Sequence, residues 1–283
     1  MVRQGLQNLK CWYRFSAEKK QQSTWPSPGP AIHAGGLLKV TAVIQARIGS
    51  TRLVGKVLAD IGGQPMLWRV VSRTRAAKTL DQIVVATTTE PADDAIVSFC
   101  HERGVACFRG SEEDVLDRYY QAAREHGADV VVRITSDCPL IDPEIVDKTV
   151  RAFLGELPDY APDYASNGVV RTYPRGLDTE VMTLGALEKA WREARQPYQR
   201  THVTPYIYEN PDHFRILSVT GDEDYSAYRW TVDVREDLEL VRAVYSRLQG
   251  DGFSLNDVVR LMERETELAK INRSVAQKAL HEG

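Results

Sequence analysis

Between residues 42 and 56 the chain reads AVIQARIGSTRLVGK. Arg47, Arg52 and Lys56 stand five and four residues apart, with Gly49, Ser50, Thr51 and Gly55 among them. Glycine lets backbone N–H groups turn toward an anion, and successive amides form an anion-holding concavity. Three cations beside such backbone suit a triphosphate. The spacing matches neither G-x-x-x-x-G-K-[ST] nor G-x-G-x-x-G. Charge alone reads equally well as a basic loop facing water.

Two carboxylates stand at the ends of apolar runs. Asp137 follows VVVRITS, and Asp233 follows YRWTV. A lone strand-end carboxylate suits Mg²⁺, which takes one or two protein oxygens and completes its shell with water and substrate phosphate. Each also reads as a turn or helix-cap aspartate, although Asp142, just before Pro143, is the better cap. In FRGSEEDVLDRY, Ser111 and Asp114 fit S-x-x-[DE], a capping box for the next helix. Arg171, Arg175, Arg200, His202 and Arg229 could gather an anionic acceptor. No G-x-S-x-G is present, so serine-hydrolase chemistry has no foothold.

The elements that would position these residues alternate. Apolar runs at 40–46, 82–87, 105–108 and 129–134 predict strands. Helical spacing predicts helices over 65–78, 91–103, 112–126 and 142–154, with Gly104 and Gly127 as carboxyl-terminal caps. Short strand–helix connections imply a parallel sheet covered on both faces, with ligands outside the carboxyl ends of its strands. The loops at 47–56, 87–90 and 135–140 meet that address. Further on, strands are expected over 160–167, 176–182, 213–219 and 228–234, helices over 184–195 and 199–209, and a charged helical segment from 235 to 282.

The chain has 283 residues, 43% hydrophobic and 27% charged, with net charge −3. That describes an ordinary soluble α/β protein and not a general nucleic-acid or membrane-surface binder. Its four cysteines form no C-x-x-C pair or zinc-like cluster, which fits reduced thiols in a cytoplasmic protein. No apolar run is long enough to span a bilayer. Residues 1–39 are basic and rich in chain breakers (STWPSPGP at 23–30), and read as a disordered tail or as sequence upstream of the true start. The remaining division expected is a nucleotide-binding domain over 40–250 and a helical tail over 251–283.

Taken in order, the opening loop, VVATTT, FRGSEEDVLDRY, RITSDCPLIDP, YPRGLDTEV, THVTPYIY and RWTVD closely resemble the spore-coat polysaccharide family of cytidylyltransferases. That family is related to the acylneuraminate and deoxy-octulosonate cytidylyltransferases. The resemblance spans about residues 40–248. It implies a mostly parallel, Rossmann-like nucleotidyltransferase sheet of the GT-A-like kind with helices on both faces, often dimeric, so a homodimer is within expectation.

By this resemblance Gln45, Ala46 and Arg47 hold the nucleotide, together with Gly49 and Ser50 of the loop. Arg52 and Lys56 grip its phosphates, and Thr87 and Ser111 lie near base and ribose. Asp137 and Asp233 hold Mg²⁺. Arg175, Asp178, Glu180, His202 and Arg229 face the acceptor, and Arg47, Lys56 and Asp137 carry catalysis. The implied reaction transfers CMP from CTP to an acidic sugar, phosphosugar or phosphonate and releases pyrophosphate, in surface polysaccharide or glycoconjugate biosynthesis. Two rivals stand beside it: a glycosyltransferase using a nucleotide sugar, and a nucleotide-binding module without turnover. Val54 departs from the proline usual in R-L-P-G-K, and residues 199–201 depart from a more acidic approach to the His–Val–Thr–Pro segment.

Overall fold

The protein is described by a computed structural model, which covers residues 32–33, 36–155 and 161–277. The tail expected over 1–39 lies outside the described residues through 31, and so do residues 278–283 of the expected helical tail.

Seven strands make the main sheet. They are β1 (Val40–Gln45), β2 (Gln82–Thr88), β3 (Ala106–Gly110), β4 (Val130–Thr135), β5 (Tyr164–Ser166), β6 (Glu180–Thr183) and β7 (Ile216–Ser218), in the order β7-β5-β6-β4-β1-β2-β3. Strands β3, β2, β1 and β4 run parallel, and β6 pairs antiparallel with both β4 and β5. In β1 the side chains alternate between two cores, as the two-residue period of a strand requires. Ala42 and Ile44 face one apolar cluster and Val43 the other.

The first cluster lies under α1 (Met66–Arg75), α2 (Asp94–Glu102) and α4 (Pro143–Gly155) through Leu67, Val70, Ile96, Phe99, Val146 and Val150. The second lies under α3 (Val115–Glu125) and α5 (Leu184–Glu193) through Leu116, Tyr119 and Leu187. Helices therefore cover both faces of a mostly parallel sheet. Gly104 and Gly127 adopt φ +59° and +64° just past α2 and α3, as expected of carboxyl-terminal caps.

The register sets the strand ends level. Gln45 lies opposite Ala86 on one side and Thr135 on the other. The loops that follow β1, β2, β3 and β4 therefore leave the same edge.

Several expected elements differ. The helix expected from 112 begins at Val115, because Asp114 is its N-cap and accepts from Asp117 N at 2.9 Å; Ser111 instead accepts from Asp114 N at 3.0 Å. The single helix expected over 199–209 is two short ones, α6 (Pro197–His202) and α7 (Pro205–Tyr208). Val203, at φ 74°, and Pro205 break it. The strand expected over 228–234 is irregular apart from a parallel bridge between Arg175 and Arg229. Its amides divide their acceptors between two loops: Trp230 N donates to Arg175 O at 2.7 Å and Val232 N to Asp137 O at 2.8 Å. The strand expected from 176 begins at Glu180.

A third apolar cluster joins α8 (Arg235–Leu248) and α9 (Leu255–Arg264) to Trp230, Tyr173 and Leu140. Buried Arg73 of α1 locks this layer to the sheet. Its Nε donates to Ile141 O at 2.6 Å, and its two terminal nitrogens donate to Asp251 O and Phe253 O at 2.6 and 2.9 Å. Burial lowers its affinity for its proton, with nearby Tyr245, Asp142 and Asp251 opposing that effect.

Gly176 shows why the motif YPRGLD contains glycine. It has φ +103°, and a Cβ there would sit 2.5 Å from Thr231 N. Gly176→Ala is expected to lower stability by about 2 kcal/mol or more through steric overlap and backbone strain. Urea denaturation measures it; a midpoint equal to wild type would mean that the 175–177 and 229–231 segments separate at no cost.

Candidate active site

The opening loop leaves β1 and folds back on itself. Ser50 N and Gly55 N both donate to Ile48 O, at 2.7 and 3.2 Å, and Lys56 N donates to Leu53 O at 3.2 Å. The amides of Gly49, Thr51 and Arg52 meet no acceptor among the described residues. Gly55 takes φ 69°, so the chain turns there into a short 3₁₀ segment that begins at Lys56. Buried Asp93 ties the loop down. Its Oδ1 accepts from Ile48 N at 2.7 Å, and its Oδ2 accepts from Thr88 Oγ1 at 2.5 Å. Val54 stands exposed on the loop.

Lys56 carries the loop to both candidate carboxylates. Its Nζ lies 2.9 Å from Asp233 Oδ1, 3.2 Å from Asp137 Oδ2 and 2.7 Å from Val232 O. Arg52 reaches Asp233 Oδ1 as well, at 3.0 Å. Burial works against the ammonium charge, but Asp137 and Asp233 outweigh it and hold the Lys56 pKa above its ordinary value. Burial likewise works against the Asp233 carboxylate, yet Lys56, Arg52 and Arg229 hold its pKa below the usual range.

Neither carboxylate is simply a cap. Thr135 Oγ1 donates to Asp137 Oδ1 at 2.6 Å, turning Asp137 toward Lys56. The backbone of Asp137 is clamped by Val232 N at 2.8 Å and Thr231 Oγ1 at 3.2 Å, which brings Asp233 to it. At the start of α8 the capping carboxylate is Asp237, which accepts from Asp233 N at 2.9 Å and Val234 N at 3.2 Å. Asp142 meets the expectation of a cap, accepting from Glu144 N at 2.8 Å.

Arg229 was expected to face an acceptor. Its guanidinium instead lies against Asp233 Oδ2 at 2.9 Å and Asp237 Oδ1 at 3.0 Å, beneath the Lys56 site. Arg175 runs beside it through the parallel bridge. Asp178 pairs with Arg171 and accepts from Gly176 N at 2.9 Å. Glu180 belongs to a second network. It pairs with Arg133 and accepts from Tyr164 Oη at 2.6 Å and Thr204 Oγ1 at 2.7 Å. Arg133 in turn donates to Gln45 Oε1 at 3.2 Å, joining this network to the end of β1.

His202 ends α6. Thr87 is fully buried within β2, and its Oγ1 has no hydrogen-bond partner among the described residues. Ala46 is buried, and its N–H donates to Ala86 O at 3.1 Å. Arg47 is exposed, 3.2 Å from Glu112 in the loop that carries Ser111.

Arg133, Asp93, Asp237 and Thr135 were not singled out from sequence. Arg133 had a signal, a lone charge inside the buried run VVVRIT. Asp237 stands four residues after Asp233, in the first turn of α8.

A mostly parallel sheet whose loops bring a cationic segment against Asp137 and Asp233 suits a nucleotidyltransferase. Residues 41–265 match the cytidylyltransferase family, and the chain belongs to it. An uncharacterized protein of Methanocaldococcus jannaschii is 39% identical over 87% of this chain and 99% of its own length. The spore coat polysaccharide biosynthesis protein SpsF of Bacillus subtilis is 34% identical over 80% of this chain and 95% of its own. The structure of a cytidylyltransferase from Leptospira borgpetersenii superposes with TM-score 0.79 at 36% identity, covering 86% of this chain and 99% of that one. No helix among the described residues is long and apolar enough to cross a membrane.

The Asp233 shift sets a pH dependence. Because its folded pKa is depressed, its stabilisation is present above about pH 4, where an unfolded aspartate is ionised, and is lost as pH falls through the lower folded value. Asp233→Asn should lower the urea midpoint clearly at pH 7 and less at pH 2.5. An equal gap at both values would show that the charge of Asp233 contributes nothing to stability.

Proposed function

We propose that the chain transfers CMP from CTP to a small anionic acceptor, an acidic sugar, phosphosugar or phosphonate, with release of pyrophosphate. The observation that supports this most directly is the Lys56 ammonium, at the end of the opening loop, within 3.2 Å of both Asp137 and Asp233. In this reading the free loop amides and Arg47 take the phosphates of CTP, and Arg52 and Lys56 hold them against the strand ends. Gln45 is fixed by Arg133 and sits where the nucleotide enters. An acceptor oxygen forms a bond to the α-phosphorus as the bond to the bridging oxygen of pyrophosphate breaks. Transfer of this kind depends on positioning and charge neutralisation. An acceptor that attacks through an ionised oxygen needs no general base.

The residues fit Mg²⁺. Asp137 and Asp233 supply hard oxygen donors around the point that Lys56 Nζ occupies, so a cation that completes its shell with phosphate and water would be held there only as the ammonium turns to the phosphates. Charge favours the same conclusion. Lys56, Arg52 and Arg229 are already balanced by Asp137, Asp233 and Asp237, so an arriving triphosphate calls for further positive charge. Bound there, the ion would neutralise charge developing on the phosphates. Asp137 and Asp233 would hold it, and Thr135 and Arg229 would keep those carboxylates aimed.

Asp137→Ala is expected to abolish Mg²⁺-dependent pyrophosphate release from CTP. Unchanged turnover would remove Asp137 from the site. Lys56→Ala is expected to weaken CTP binding about tenfold or more, the loss of a charge-assisted contact; because the same change also removes a partner of Asp137 and Asp233, affinity is compared at a temperature where circular dichroism shows both proteins folded. Calorimetry that finds full affinity would reject the phosphate role. The acceptor is found by screening pyrophosphate release with each of the four nucleoside triphosphates against acidic sugars, phosphosugars and phosphonates.

A further inference from the structure

The segment that follows α9 bounds a cavity of about 210 Å³ against the 226–230 stretch, and three arginines are among its lining residues: Arg175, Arg229 and Arg273. Arg229 is neutralised by Asp233 and Asp237, and its remaining nitrogen donates to Gln277 Oε1 at 2.5 Å. Asn272 braces the same group, donating to Arg229 O at 2.9 Å and Asp237 Oδ1 at 2.8 Å. Arg175 and Arg273 line the cavity without a carboxylate partner among the described residues. Arg175 is half-buried, and burial together with the guanidiniums of Arg171 and Arg229 weakens its hold on its proton. Asp178 is the one nearby carboxylate opposing this, and it is already paired with Arg171. Cationic surplus therefore gathers at one cavity wall.

We propose that this cavity binds the carboxylate or phosphate group of a small molecule, with Arg175 and Arg273 supplying its charge partners. Guanidinium presents forked donors that match both groups, and their oxygens would cancel the uncompensated charge. A cation would be repelled. A volume of about 210 Å³ lies below the usual range for a whole organic ligand, so it suits one acidic group and its neighbouring atoms. The cavity lies behind the Lys56 site: Asp233 offers Oδ1 to Lys56 and Oδ2 to Arg229. Asn272, Arg273 and Gln277 fall beyond residue 265, where the family match ends, so this wall is not specified by the family pattern.

Two sources share this chemistry: the acidic group of the acceptor itself, or a separate anion that acts as an effector. The first rests on the transfer reading above; anion binding as such does not. The indole signal of Trp230, which lines the cavity, can be assigned with Trp230→Phe and followed by NMR as inorganic phosphate or acetate is titrated into the full-length protein at constant ionic strength. A saturable shift is expected in the wild type. Arg273→Gln, at an exposed position, should weaken it about tenfold, and Arg273→Lys should retain most of it. No saturable shift, or equal affinity in wild type and Arg273→Gln, would overturn the proposal. In turnover assays, inhibition by phosphate competitive with the acceptor assigns the cavity to the acceptor's acidic group, and inhibition non-competitive with the acceptor assigns it to a separate anion. Binding is read without turnover, so absent pyrophosphate release would sink the transfer reading and leave the cavity standing.

Discussion

One ammonium group holds three distant parts of the chain together. Lys56 comes from the loop after the first sheet strand, Asp137 from the loop after the fourth, and Asp233 from the approach to α8, yet all three meet within hydrogen-bond distance. Burying any of these charges alone would be costly, and removing one partner would leave another uncompensated. The neighbourhood is built to prevent that. Thr135 and Arg229 satisfy the remaining carboxylate oxygens, Arg52 shares Asp233 Oδ1 with Lys56, and Asp237 satisfies Arg229. The site is therefore a closed ionic network whose charges balance before any nucleotide arrives.

Around that network the backbone does the positioning. The parallel register sets the ends of β1, β2 and β4 level, so their loops open on one edge. The YPRGLD and RWTVD motifs, separated in sequence, are one structural unit. Gly176 lets the first press against the backbone of the second, and the Arg175–Arg229 bridge fixes their register. Asp93 performs the same service for the opening loop, which would otherwise be an exposed, charged segment free to wander.

The polar residues sort into two connected groups. Lys56, Arg52, Asp137, Asp233 and Arg229 form the first. Gln45, Arg133, Glu180, Tyr164 and Thr204 form the second, reaching across β1, β4 and β6. The second network carries its charged pair inside the sheet, where a lone arginine or glutamate would be untenable without the other. Glu180 thus has enough partners to be explained as a structural anchor whatever else it touches.

Strands with buried apolar runs and helices closed by glycine were legible in the sequence, because hydrophobic period and φ > 0 caps are local requirements. So was the edge on which the opening loop and Asp137 meet, since parallel strand–helix units leave their loops there. What local pattern could not decide was where long-range partners would lie. RWTVD looked like a strand, but its amides are shared between two separate loops. Arg229 looked free for a substrate, but one turn of helix brings Asp237 beneath it. Sequence by itself determined the residue types, the sheet and the charged loop. Only the tertiary structure decided which charges neutralise one another, because Coulombic pairing depends on separation in space and not along the chain.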